Sequence, residues 1–205
     1  RRDRPVSPLF VVAHGAGAGQ SHPFMRAWVA QLATLGSVVA FEYAYMAAGR
    51  KAPDRLPKLL EVHAEAVKAA VSAHPGRSLV LVGKSMGSRV GCHLAAALAP
   101  EHRLAGLVCL GYPLQGASSL RDEVLRSLPA PVLFVQGDRD PLCPLPLLAQ
   151  ARAAMPTAST LHVVPGGDHS LALRKRDIVA LGVSQEASDA RAFAAVRRFI
   201  QELSP

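Results

Sequence analysis

An α/β fold built on a doubly wound, mostly parallel sheet is predicted by three observations. Short runs rich in Val and Leu alternate with amphipathic stretches along the whole chain. Those runs are apolar on both faces, as strands covered on both sides must be. The polar and glycine-rich motifs fall just past the strands, where ligands bind in open parallel sheets. Right-handed crossovers then wind the sheet in two directions, with helices on both faces.

Six strands are read. Pro8–Ala13 is the first, and it runs into a glycine-rich loop. Ser37–Phe41, Leu79–Val82, Leu104–Leu110, Pro131–Gln136 and Thr160–Val164 follow. Apolar residues at helical spacing predict helices over Pro23–Leu35, Leu56–Ala73, Met86–Ala99, Leu145–Met155 and Ser188–Leu203. His74-Pro75-Gly76 stops the second of these and Pro100 the third. No repeat, linker or low-complexity tract divides the 205 residues, so a single domain over 1–205 is expected.

Composition narrows the function. Half of the residues are hydrophobic and 19% are charged, a globular balance. No apolar run approaches the roughly 20 residues that span a bilayer, and no signal-peptide hydrophobic region is read. With three cysteines that form neither a C-x-x-C pair nor an even framework, this favours a reducing, cytoplasmic setting. The formal charge is +8, but the only dense basic cluster is Arg174-Lys175-Arg176. No basic stripe interleaved with aromatics is present, so neither a nucleic-acid nor a membrane partner is expected.

The sharpest motif is Gly83-Lys84-Ser85-Met86-Gly87, a G-x-S-x-G pentapeptide between a strand and a helix. That context is the mark of a nucleophile elbow, with Ser85 on a strained turn at a helix N-terminus. A serine nucleophile needs a base, and the base an orienting acid. His169 sits in a glycine-rich loop after the last strand, where loop flexibility is expected to let the ring reach Ser85. His93, His102 and His162 lie in or beside regular elements and read as structural or surface residues. Asp138 and Asp140 both follow the fifth strand; Asp140, before Pro141, is preferred and Asp138 is second.

His14-Gly15-Ala16-Gly17-Ala18-Gly19 follows the first strand and fits an oxyanion loop. Ala16 and Met86 are the expected backbone donors, with Gly17 as the alternative. The same glycines lack both phosphate-loop and dinucleotide spacings, so no cofactor is expected, and no metal site is read.

These motifs together resemble the α/β-hydrolase superfamily over essentially the whole chain. His22-Pro23-Phe24-Met25, Phe41-Glu42-Tyr43-Ala44-Tyr45-Met46, the elbow with Ser88-Arg89, Gly111-Tyr112-Pro113-Leu114 and Asp168-His169-Ser170 are more specific. They resemble a small hydrolase family that includes dienelactone-hydrolase-like proteins, the testis-expressed protein 30 type and the hydrolase-like domain of the NSL chromatin complex. The resemblance implies an acid three residues after Gly137, hence Asp140. It also implies members that act by binding alone.

The Gly111–Leu128 segment is too short for a large lid. An open pocket lined by Gly17, Tyr43, Tyr45, Tyr112, Leu114 and Leu142 is therefore expected. Arg89 is expected to anchor a carboxylate under the elbow, Lys84 to be either solvated, ion-paired or an anchor for an anionic substrate, and Cys143 to be a buried thiol. The sequence favours a serine esterase or thioesterase acting on a small-molecule ester or thioester. An interaction module on the same fold is the alternative, and a peroxide-dependent side activity a weaker third. The oligomeric state has no signature in the sequence.

Overall fold

A computed structural model describes residues 7–203. Six strands form one sheet in the order β2-β1-β3-β4-β5-β6, every neighbouring pair parallel. They are β1 (Leu9–Ala13), β2 (Ser37–Phe41), β3 (Leu79–Lys84), β4 (Leu104–Leu110), β5 (Val132–Gly137) and β6 (Ser159–Val164). The chain steps outward from β1 to β2, returns to the other side at β3, and continues to β6. The winding reverses between β1 and β3, which opens a crevice at their carboxyl ends.

Seven α-helices complete the described chain: α1 (Pro23–Leu32), α2 (Ala44–Ala47), α3 (Leu56–Ala73), α4 (Met86–Ala97), α5 (Leu145–Ala153), α6 (Lys175–Leu181) and α7 (Gln185–Glu202). The strand period of two sorts their residues into two cores. Leu9, Val11, Leu79, Leu81, Leu107 and Phe134 face α3, α4 and α5. Phe10, Val12, Val80, Val82, Val108 and Val135 face α1 and α7. Each such side chain, fully buried, contributes about 1.5–3 kcal/mol, so both faces need their helices. The edge strand β2 is only partly buried. None of the described helices is long and apolar enough to cross a membrane.

Element boundaries differ from the expected ones for local reasons. β3 runs two residues further, because Gly83 and Lys84 pair with Cys109 and Leu110. α1 ends at Leu32, since the chain must tighten into β2: Leu35 N and Gly36 N both donate to Leu32 O. α7 starts three residues early, where Ser184 Oγ caps it by accepting from Ala187 N at 3.1 Å. Neither α2 nor α6 is announced by the sequence; each is a short helix without a long apolar stripe. The Gly111–Leu128 segment holds an antiparallel bridge between Gln115 and Leu120 and a 3₁₀ turn over Glu123–Ser127. There is no large lid.

Candidate active site

The site is built from four strand ends. β3 delivers Ser85 directly into α4, with Ser85 at φ 50°, ψ −115°. A non-glycine residue at positive φ is strained and is held only where its surroundings over-determine it. Here Ser85 N donates to Leu110 O at 3.0 Å, while Ser85 O accepts from Ser88 N, Arg89 N and Ser88 Oγ, the last at 2.6 Å. The flanking glycines are steric requirements. A Cβ on Gly83 would collide with the backbone of Gly87 and Ser88. A Cβ on Gly87 would stand 2.6 Å from His14 O on the neighbouring loop. We expect Gly87→Ala to displace that loop and cost about 1–3 kcal/mol. Thermal unfolding and ester turnover measured together check this; an unchanged midpoint with unchanged turnover contradicts it.

The loop after β5 brings in the acid. Asp140 has its side chain wholly buried, and Oδ2 lies 2.7 Å from His169 Nδ1. Oδ1 accepts from Leu142 N at 2.8 Å, and Oδ2 also accepts from Gln136 Nε2 at 2.5 Å. Burial alone would raise the Asp140 pKa. The bond and charge of His169, then Leu142 N and Gln136, outweigh burial and hold it below the usual carboxylate range. An ionised carboxylate only accepts, so His169 Nδ1–H donates to it and Nε2 is left as an acceptor. Ser85 Oγ lies 2.7 Å from that nitrogen. Ser85, His169 and Asp140 thus form one continuous hydrogen-bonded chain.

Asp138 does something else. Its Oδ1 accepts from Gly166 N at 2.9 Å, fastening the histidine loop. Arg139 N bonds Gly167 O, and Asp168 Oδ1 caps Ser170 N and Ala172 N. The loop expected to be flexible is therefore tied at several points, and its ring needs no swing to meet Ser85.

Ala16 lies in the loop after β1 and Met86 at the first position of α4. Neither backbone N–H has a hydrogen-bond partner among the described residues. For Met86 this follows from its place in the first turn. The loop is held from below. Buried His14 donates from Nδ1 to Gly15 O at 2.7 Å and accepts Tyr43 N–H at Nε2, and Tyr45 Oη donates to Ala16 O at 2.9 Å. A cleft of about 380 Å³ lies over Ser85 and His169, bounded by Ala16, Gly17, His22, Phe24 and Leu142.

Several expected roles are corrected. Tyr43, Tyr45, Tyr112 and Leu114 do not line this cleft; all four are fully buried. Each phenol finds its partner inside: Tyr43 Oη meets His63 Nδ1 at 3.1 Å, Tyr45 reaches Ala16 O, and Tyr112 donates to Arg121 O at 2.7 Å. Gly17 and Leu142 do face the cleft, and the wall expected of the tyrosines is supplied by Phe24, Met25 and His22 at the start of α1. Among the described residues Arg89 anchors no carboxylate and its buried Nε has no partner; burial, followed by the nearby Arg121, lowers its pKa. Lys84 borders the cleft but is only 8% exposed; it has no ion pair among the described residues and donates to His169 O at 2.6 Å. Cys143 is a buried thiol.

Two supporting residues escaped the sequence reading. Gln136 is buried at the end of β5, accepting Tyr112 N–H while donating to Asp140. Ser88 locks the elbow carbonyl. The offset of Ser88 from Ser85 by three residues is a readable signal for a helical-turn bond; nothing in a strand sequence marks Gln136.

A parallel doubly wound sheet with a strained serine at a strand–helix elbow, and with an acid and a histidine after later strands, defines the α/β-hydrolase fold. The chain belongs to the α/β-hydrolase family: a family model described as an alpha/beta hydrolase domain matches residues 6–201. Among solved structures it is similar to Est1E from Butyrivibrio proteoclasticus, with TM-score 0.68 and 15% identity, covering 98% of this chain and 90% of that one. An α/β serine hydrolase without lid from Xanthomonas campestris gives TM-score 0.68 at 19% identity, covering 97% and 85%. A dienelactone hydrolase from Anabaena variabilis gives 0.63 at 19%, covering 90% and 85%. At these identities the likeness is one of fold.

Proposed function

We propose that this chain is a serine hydrolase of small carboxylic esters or thioesters, working through an acyl-enzyme. The observation that carries the reading is the unbroken chain Asp140–His169–Ser85, ending on a hydroxyl at the floor of an open cleft. In this reading Ser85 Oγ attacks the acyl carbon while His169 Nε2 takes its proton. Ionised Asp140 holds the tautomer and stabilises the imidazolium. The oxygen that becomes negative lies between Ala16 N–H, from the loop after β1, and Met86 N–H, at the N-terminus of α4, whose dipole suits it. His169 returns the proton to the leaving alcohol or thiol. Water then attacks the acyl-enzyme, with His169 again as base, releasing the acid and restoring Ser85.

The cleft volume suits a small substrate, near the lower end for ligand pockets. Its described lining includes no Asp or Glu; Phe24, Met25 and Leu142 offer an apolar wall, while Lys84 and His22 also border the cleft. A fluorophosphonate probe tests the reading directly. Wild-type protein is expected to be labelled stoichiometrically and Ser85→Ala not at all. Unlabelled wild type, or label retained by the alanine variant, removes Ser85 as nucleophile and leaves the binding-module alternative.

A further inference from the structure

Lys84 occupies the variable position of the elbow, and the site chemistry above makes no use of its side chain. An ammonium is a costly group to bury, and it is normally buried only with a partner. Lys84 forms no ion pair within 4.0 Å among the described residues, although Asp140 and Asp168 act on it from further off. Burial lowers its pKa to about 8. Among the described residues its ammonium makes one hydrogen bond, to the main-chain oxygen of His169. The Phe24 ring covers the ammonium at 5.7 Å, and the stem of Lys84 runs along Gly15.

Room for this contact is made at Gly111, which takes φ +66°. A Cβ there would lie 2.6 Å from His169 O and 3.2 Å from Lys84 Nζ. Adjacent residues on one strand end therefore grip two ends of one histidine. Ser85 Oγ meets ring Nε2 at 2.7 Å, and Lys84 Nζ meets the carbonyl at 2.6 Å. Asp140 holds the third point, Nδ1.

We propose that Lys84 is a positioning residue for His169, tying the histidine loop to the strand end that carries the nucleophile. The proposal rests on Ser85 and His169 being nucleophile and base. The tie matters because the elbow and the histidine loop come from strands that are not neighbours: β4 and β5 lie between β3 and β6. Without it, the ring keeps Asp140 but the loop loses its direct bond to the elbow. A misplacement of about 1 Å costs on the order of 10²-fold in rate.

The test compares wild type with Lys84→Met, which keeps the buried stem and removes the donor. Lys84→Gln serves if the methionine variant fails to fold. Turnover is measured on p-nitrophenyl acetate and on mono-p-nitrophenyl succinate, a carboxylate-bearing ester. The far-downfield proton resonance of the His169–Asp140 hydrogen bond is recorded on the same samples. The expected result is a fall in kcat of about tenfold to a hundredfold on both esters, KM within about threefold, and a broadened or lost resonance. A KM rise confined to the succinate ester, with kcat and resonance intact, overturns the proposal in favour of a substrate anchor. Unchanged kcat and resonance overturn it outright. If wild type hydrolyses neither ester and takes no fluorophosphonate, the hydrolase reading has failed. The proton resonance still decides the tie.

Discussion

Replacing His169 by alanine is expected to lower kcat/KM by about 10⁴- to 10⁶-fold, equivalent to roughly 5–8 kcal/mol of transition-state stabilisation. The size follows from the geometry. Among the described residues Ser85 Oγ has one hydrogen-bond partner in position to take its proton, His169 Nε2 at 2.7 Å. Without it the hydroxyl must attack unassisted. Asp140→Asn is expected to cost about 10⁴-fold, because an amide in place of the carboxylate no longer fixes the tautomer. The losses do not add: a Ser85→Ala, His169→Ala double variant is expected to be no slower than the worse single one. Asp138→Ala, which removes one of several ties of this loop but no bond to His169 itself, provides the contrast and is expected to cost no more than about tenfold. Steady-state kinetics on p-nitrophenyl acetate decide the matter. A His169→Ala enzyme keeping a tenth of wild-type kcat/KM, or an Asp138→Ala enzyme as damaged as Asp140→Asn, contradicts the assignment.

The second large effect is on stability. His63, on α3, is 1% exposed, and its Nε2 has no hydrogen-bond partner among the described residues. Burial pushes its pKa down to about 3. The unfolded chain titrates near pH 6.5. Between those values the unfolded state binds a proton that the folded state excludes. Stability from this group is therefore complete above about pH 6.5 and is lost as pH falls towards 3, at about 1.4 kcal/mol per pH unit. At pH 4.5 the loss reaches about 3 kcal/mol, a large share of the 5–15 kcal/mol that typically holds a domain together. His63→Gln removes the titration while keeping a polar atom towards Tyr43. Urea unfolding of both proteins at pH 7.5 and 4.5 is expected to show a smaller acid loss for the variant, by about 3 kcal/mol. Equal acid losses sink the idea. Because Tyr43 N–H also bonds His14, which holds the loop bearing Ala16, acid opening here is expected to reach the site as well.

The strands and long helices were legible because each has a period that a linear sequence records. The parallel sheet shows as apolar runs without alternation, and α3 was bounded correctly by its apolar stripe and by His74-Pro75-Gly76. The elbow was legible for a stricter reason. Only glycine fits at 83 and 87, where a Cβ would strike backbone, so the steric demand is written directly as residue type. Short helices such as α2 and α6 carry no such pattern. Arg89 failed for another reason: helical spacing put it one turn past Ser85 but said nothing of what stands opposite.

The tyrosines show where sequence reading stops. Their number and their place after strand ends suggested a pocket wall. Side-chain direction in a loop depends on what the neighbouring strand presents, and here His63, Ala16 and Arg121 draw the three phenols inward. Phe24, Met25 and His22 take the wall because α1 starts over the mouth of the cleft. Gln136 became a support of Asp140 only because β5 ends beside that loop.

By itself, the sequence determined the sheet class, the elbow, the place of Ser85 and a choice of acids for one histidine. These depend on local sterics and on periodicity, which act between residues close along the chain. The tertiary structure decided that Asp140 rather than Asp138 meets His169, that the histidine loop is fastened, and that Lys84 points at His169 O instead of at solvent. Those contacts join residues 29 and 85 positions apart. Their distances are set by strand order in the sheet, and a one-dimensional pattern carries no record of that order.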